Sequence, residues 1–118
     1  MKNNLWILTE ERPKKEVLAT IFHKFAKDYG FAVFIDTLRI LPILVENKFT
    51  FTYEVTGFRC NNVDKVYIKT VSGNSSFTDF LIFYQKNEPT INDQPIYAIE
   101  ETKTDDKESR NTGVYQRC

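Results

Sequence analysis

A change of hydrophobic periodicity at Gly30 constrains the fold more than any other feature of this 118-residue chain. Between Pro13 and Tyr29 the apolar residues recur at the spacing of one helical face. Pro13 suits the first turn of a helix, and Gly30 suits the position just after its last turn. Beyond Gly30 the apolar residues alternate with period two in several short runs, which is typical of strands. The pattern predicts an α+β fold in which one N-terminal helix packs on a mostly antiparallel mixed sheet.

Four runs after Gly30 predict strands that follow one another as a meander. They cover residues 49–55, 65–71, 79–84 and 96–103, with a turn at 72–76 and a polar loop at 86–95. The preceding segment, residues 31–45, is apolar and β-branched but is broken near Asp36. It holds either one bent strand or two short ones, and Pro42 argues against a place in the middle of a sheet.

The charge balance excludes two classes of protein. The chain has 16 Lys and Arg residues against 16 Asp and Glu residues, so its formal net charge is zero. A strongly basic nucleic-acid coat and an acidic tail are both excluded. Contact with nucleic acid is not excluded, because the local distribution of charge decides it.

The two cysteines and the short apolar runs bear on location. Cys60 and Cys118 have no Cys-x-x-Cys partner, which excludes a disulfide framework and a thiolate zinc site. The apolar run near the N-terminus is too short for a signal peptide, and no run approaches the length that spans a bilayer. We therefore expect a single domain over residues 1–118, in a cytoplasmic protein with free thiols and no membrane contact.

The most informative strand is the last predicted one, because its apolar run ends in Glu100, Glu101, Thr102 and Lys103. If the 79–84 and 96–103 strands form an antiparallel hairpin centred on Thr90, Asp79 lies opposite Glu101. Directly opposed residues have Cβ atoms about 5 Å apart, so two carboxylates there repel each other unless a cation lies between them. Mg²⁺ prefers such oxygen ligands. Glu101 and Lys103 share one face of the strand, and Glu100 replaces Glu101 if the register differs by one residue.

Two other segments fit the same short pattern of acidic residues and lysine. Asp36 precedes Glu46 and Lys48, but the midpoint of that pair falls in an apolar run with no room for a turn. Asp105-Asp106-Lys107 lies in a charged loop. The hairpin symmetry favours the set Asp79, Glu101 and Lys103.

These residues resemble a known family of enzymes. Asp79, an apolar hairpin and then Glu101-Thr102-Lys103 resemble the PD-(D/E)XK nuclease superfamily. The segment 100–106 followed by Tyr115-Gln116-Arg117 is similar to type II restriction endonucleases in particular. The resemblance covers about residues 76–117, and Thr78 stands where the family name has proline.

The resemblance implies a fold and an activity. The fold is an α/β/α nuclease-type, restriction-endonuclease-like core, and the activity is that of a metal-dependent endodeoxyribonuclease acting on double-stranded DNA as a homodimer. Asp79, Glu101 and the carbonyl of Thr102 hold Mg²⁺, and Lys103 lies next to the attacking water. Glu100 supports the site, and Gln116 corresponds to the glutamine on the helix that follows the lysine strand in the family.

The family comparison also sets an expectation for the end of the chain. Ser109 or Asn111 is expected to cap a helix that runs past Gln116, and the family core continues with a further strand. We therefore expect these 118 residues to be the N-terminal portion of a nuclease domain that is incomplete at the C-terminus and cleaves poorly alone.

Contact with DNA phosphates needs local positive charge. The candidate phosphate contacts are Arg59, Lys65, Lys69, Arg110 and Arg117. The main alternative is a non-enzymatic β-rich binding or interaction module, which has no metal affinity and tolerates substitution of Glu101. A third hypothesis is a nuclease-fold protein that acts on RNA or branched DNA.

Overall fold

The part of the chain that the structure describes forms seven strands and one helix. The computed structural model describes residues 2–43, 50–71, 79–101 and 112–116, with the backbone alone at residues 50, 101 and 112–116. The elements, in chain order, are β1 Asn3–Thr9, α1 Lys15–Tyr29, β2 Val33–Ile43, β3 Thr50–Cys60, β4 Val63–Val71, β5 Phe80–Gln85, β6 Tyr97–Glu101 and β7 Thr112–Gln116.

The strands form a mixed sheet in the order β2-β3-β4-β1-β5-β6-β7. β1 runs parallel to β4, and every other neighbouring pair in this order is antiparallel. α1 packs on one face of the sheet, and the hydrophobic core lies between them. The predicted α+β arrangement, with one N-terminal helix on a mostly antiparallel mixed sheet, is confirmed. The finer nuclease-type assignment stays a prediction.

The boundaries of α1 follow from its sequence. Pro13 precedes the N-cap residue Lys14, and Gly30 ends the helix in the left-handed conformation with φ of 69°. Glycine adopts that conformation without a Cβ penalty, as the prediction for Gly30 required. The buried face consists of Leu18, Ile21, Phe22, Phe25 and Ala26.

β1 is the element that periodicity missed. Leu5 and Ile7 are completely buried against α1, while Trp6, on the other face, is 9% exposed. A strand that is apolar on both faces shows no alternation of apolar and polar residues, so the periodicity of the sequence did not identify β1 as a strand. β1 lies between β4 and β5, and the prediction that these strands follow one another as a meander is therefore wrong.

β2 is one long strand at the edge of the sheet, as Pro42 led us to expect, and it contains a bulge. Its pairing with β3 shifts between Ile35 and Arg39. The bulge lets two apolar pairs of opposite phase, Val33 with Ile35 and Leu38 with Ile40, face the core. A bulge and a proline also protect an edge strand from pairing with another chain.

The helix predicted from Ser109 or Asn111 onward is wrong. Thr112–Gln116 form β7, which pairs antiparallel along the whole of β6. Local propensity explains the difference, because Gly113 disfavours a helix whereas β-branched residues such as Val114 fit a strand. The pairing also satisfies backbone groups of β6 that would otherwise lie at a sheet edge.

Candidate functional site

The predicted acidic residues lie at one end of the sheet. Asp79 directly precedes β5, and Glu100 and Glu101 end β6, which is the antiparallel neighbour of β5. An antiparallel pair places the start of one strand beside the end of the other. The sequence therefore predicted correctly that Asp79 and the acidic end of β6 are neighbours in the fold.

The predicted register of this pair is wrong by one residue. Phe80 pairs with Ile99 and Ile82 pairs with Tyr97, so the residue opposite Asp79 by this register is Glu100 and not Glu101. The reason is packing: the observed register turns the large side chains of both strands towards α1, and a slip of one residue would substitute Ala98 there. β5 is apolar on both faces, so its own sequence did not separate the two registers.

A cavity of about 210 Å³ opens beside Asp79. The pairing of β1 with β5 ends at Thr9 and Phe80, so Glu10 and Asp79 are the next residues along two neighbouring strands. Thr9 holds the turn after β1, because its hydroxyl donates a hydrogen bond of 2.8 Å to the carbonyl of Glu11. The cavity is lined by Thr9, Glu10, Glu11, Arg12, Pro13, Lys14, Val17, Asp79 and Phe80.

Glu10 and Glu11 were missed by the sequence analysis. They precede α1 by several residues and lie 68 or more positions from Asp79 in the chain. Only the placement of β1 beside β5 brings them to the same cavity, and β1 itself carried no periodic signal. Among residues 2–43, 50–71, 79–101 and 112–116, no three His, Cys, Asp or Glu side chains are grouped so that they could hold a metal ion.

Several predicted site residues lie outside this description. Thr102 and Lys103 are outside the described residues, and Glu101 is described by its backbone alone, paired with Thr112. Gln116 lies in β7, not in the helix that the family resemblance implied.

The candidate phosphate contacts are mostly engaged elsewhere. Lys65 lies 3.9 Å from Glu54 on the neighbouring strand. Lys69 is buried and forms an ion pair with Glu88. The guanidinium of Arg59 lies 5.3 Å from the centre of the exposed Phe34 ring. Arg110 and Arg117 lie outside the described residues.

A basic groove of about 590 Å³ lies next to the Asp79 cavity, between the start of α1 and β2. Arg12, Lys14 and Lys15 reach it from the β1–α1 connection and the first turn of α1, and Arg39 reaches it from β2. The charge-dense segment around Pro13 is visible in the sequence. The contribution of Arg39 is not, because it depends on the bulge in β2.

A hydrogen-bond network ties the last turn of α1 to the start of β6. The completely buried Tyr97 donates from its hydroxyl to Oδ2 of Asp28 over 2.6 Å, and Lys24 Nζ lies 3.1 Å from the same oxygen. The hydrogen bond from Tyr97, followed by that from Lys24, lowers the pKa of Asp28. Burial, followed by the hydrogen bond to Asp28, raises the pKa of Tyr97. The network holds the start of β6 in place.

We expect Tyr97→Phe to weaken the acid dependence of stability. Because the pKa of Asp28 is depressed in the folded state, its stabilising contribution is present above 3.8, the ordinary pKa, and is lost as the pH falls through the lowered value. Removing the Tyr97 hydroxyl removes the largest cause of that shift. Urea unfolding near neutral pH should show the variant less stable than the wild type, with the difference shrinking below pH 3.8.

Tyr84→Phe is the matched control for that comparison. The Tyr84 hydroxyl donates to the carbonyl of Asn62 over 2.8 Å, and a carbonyl does not titrate. The stability lost in this variant should be independent of pH. If the Tyr97→Phe difference were equally constant, the proposed coupling to Asp28 would be wrong.

Within the described residues, no helix has the length and apolar character to cross a membrane. Comparison of the chain with models of protein families, with curated proteins and with solved structures found no match.

Proposed function

We propose that the chain carries the metal site of a magnesium-dependent endonuclease that hydrolyses phosphodiester bonds of double-stranded DNA. The proposed enzyme is a cytoplasmic, homodimeric nuclease of the type II restriction kind. One observation carries the proposal: the antiparallel pairing of β5 and β6 brings Asp79 to the end of β6 that carries Glu100 and Glu101. The resemblance of this hairpin to PD-(D/E)XK nucleases supplies the expected chemistry.

The residues at this end of the sheet fit a hard divalent cation. Asp79 is half-buried and lines a cavity that Glu10 and Glu11 also line, but these three carboxylates are not grouped so that they could hold an ion by themselves, so the proposed site also needs oxygen donors from the end of β6. Carboxylate and carbonyl oxygens are ligands that Mg²⁺ accepts, together with water and phosphate oxygens. Asp79, Glu101 and the carbonyl of Thr102 would hold the ion. When bound, Mg²⁺ lowers the pKa of a water molecule and neutralises charge on the scissile phosphate.

The remaining residues act around those ligands. Lys103 orients the attacking water and adds positive charge beside the phosphate as negative charge develops there. Glu100 is the residue that the observed register brings opposite Asp79, and it shares the metal or positions its ligands. Each role is tested separately by substitution.

A titration with Mn²⁺, followed by electron paramagnetic resonance, tests the metal site without requiring cleavage. We expect the chain to bind Mn²⁺, and Asp79→Asn and Glu101→Gln each to weaken binding at least about tenfold because each removes a charged ligand. Mg²⁺ should compete with Mn²⁺ for the same site. Asp36→Asn is the matched control, since Asp36 is exposed on β2 and should not change the affinity.

Glu100→Gln separates the two neighbouring carboxylates. Loss of binding in Glu101→Gln alone assigns the ligand to Glu101, whereas loss in Glu100→Gln alone assigns it to Glu100 and corrects the predicted site. A chain that binds no Mn²⁺, or binds it equally well in all these variants, contradicts the proposal. That result favours the non-enzymatic binding module.

A further inference from the structure

The basic groove brings four cationic side chains together on the described surface. Arg12, Lys14, Lys15 and Arg39 line it, and Glu16 is the one acidic residue among its lining. The formal net charge of the whole chain is zero, so this concentration of positive charge is local. All four cationic residues are exposed. A groove lined in this way attracts an anion.

The four groove cations differ in their partners from three other cations of the fold. Lys24, Lys65 and Lys69 each lie within 4 Å of a carboxylate. Within the described parts of the chain, none of the four groove cations has an ion pair of that length. Arg12 instead lies 5.8 Å from the centre of the Tyr53 ring. The described residues therefore hold none of these four cations in an ion pair, and their positive charge attracts an anionic ligand.

The groove and the Asp79 cavity adjoin each other. Arg12, Pro13 and Lys14 line both, so an extended ligand in the groove reaches the acidic end of β5 and β6. α1 begins here at Lys15, after the N-cap residue Lys14, which makes no side-chain cap hydrogen bond, and the positive end of the helix dipole adds to the field of the cations. An arginine fork and flexible lysines together suit the phosphates of a nucleic-acid backbone.

We propose that the basic groove binds backbone phosphates of double-stranded DNA and leads the strand towards the Asp79 cavity. This inference rests on the proposed nuclease function for the identity of the polyanion, but the binding step does not need the metal. It replaces Lys65 and Lys69 as phosphate contacts with Arg12, Lys14, Lys15 and Arg39. Phosphate contacts fix the position of the duplex and read no sequence.

Fluorescence anisotropy with a labelled mixed-sequence duplex, in EDTA and over a series of salt concentrations, tests the groove. We compare the wild type with the triple variant Lys14→Gln, Lys15→Gln and Arg39→Gln. Each lost phosphate contact should reduce the slope of log affinity against log salt by about 0.9, so we expect a reduction of about 3. At moderate salt the affinity should fall at least about tenfold.

A second triple variant controls for net charge. Lys2→Gln, Lys27→Gln and Lys86→Gln remove the same charge from exposed residues that do not line the groove. This control should bind DNA with close to wild-type affinity and slope. Both triple variants should keep the melting temperature within about 2 °C of the wild type, because surface substitutions cost little.

The outcomes separate this inference from the proposed function. If the wild type binds no DNA, or if the two triple variants lose equal DNA affinity, the proposed role of the groove is wrong. A duplex RNA of the same sequence that binds more tightly overturns DNA as the partner. If the wild type binds Mn²⁺ but the groove substitutions do not change DNA binding, the groove proposal is wrong and the proposed metal site is still supported. Groove-dependent DNA binding without Mn²⁺ binding overturns the metal site alone.

Discussion

Substitution of Asp79, Glu101 or Lys103 by alanine is expected to reduce Mg²⁺-dependent DNA cleavage by the active protein at least about 10³-fold. The two carboxylates hold the ion in the proposed site, and Lys103 supplies charge beside the phosphate, so each substitution removes an interaction that the transition state needs. Cleavage of a labelled duplex under single-turnover conditions measures the chemical step. The three losses should be non-additive, because the residues act as a unit.

The same variants should fold normally. Asp79 precedes β5 rather than forming part of the core, and removing one of several neighbouring carboxylates relieves repulsion. Glu46→Ala is the matched control. Glu46 belongs to the set Asp36, Glu46 and Lys48, which the hairpin symmetry does not favour, so this variant should retain full activity. Full cleavage by Glu101→Ala, with wild-type cleavage by Glu100→Ala, would contradict the proposed site.

Gly57→Ala is expected to be the most destabilising small substitution in the sheet. Gly57 lies opposite the β2 bulge with φ of 86°, and an added Cβ would lie 2.2 Å from the carbonyl oxygen of Thr37. The backbone of the bulge or of β3 must therefore move, in addition to the strain of a positive φ. We expect a loss of about 3 kcal/mol in the free energy of unfolding, measured by urea denaturation.

Gly30→Ala isolates the contribution of the clash. Gly30 has a similar positive φ of 69°, but an added Cβ would have no heavy atom within 4 Å. We expect about 1 kcal/mol for this variant, from backbone strain alone. If the two variants lost the same free energy of unfolding, the backbone of the bulge would move to accommodate the added Cβ at little cost, and the predicted clash would be wrong. Gly57→Ala should also weaken DNA binding, because the bulge sets the position of Arg39.

The elements with a strong period were predictable from the sequence. α1 carried both a helical stripe and a glycine that suits its C-terminal end, and these local signals agree with the tertiary packing. The cores of β3, β4, β5 and β6 were also predictable, as was the edge position of β2 from Pro42. In each case the residues that define the pattern are the ones that bury against α1 or terminate an element.

The remaining parts of the fold depended on partners distant in sequence. β1 is apolar on both faces, so it showed no alternation, and its place between β4 and β5 depends on pairing with strands distant in sequence. The register of the β5–β6 hairpin depends on which β6 side chains pack against α1. The position of Thr90 midway between the two strands carries no information about that packing. β7 is too short for a clear period, and its pairing with β6 adds to the local preference of Gly113 and Val114 for a strand over a helix.

Part of the candidate site was predictable from the sequence, and part of it was not. The hairpin argument correctly brought Asp79 to the end of β6, because chain proximity and antiparallel pairing are enough for that. Glu10 and Arg39 reach neighbouring surfaces through β1 and through the β2 bulge, and neither feature was visible in the sequence.

The structure of crystals grown with Mn²⁺ tests most directly whether Asp79 and the end of β6 hold a metal ion. We predict one anomalous scattering peak beside Asp79, with a carboxylate oxygen of Asp79 and one of Glu101, or of Glu100 as the observed register allows, both at coordination distance, about 2 Å. The peak should vanish in Asp79→Asn. Carboxylates too far apart to share one ion, with no peak between β5 and β6, would contradict the nuclease assignment.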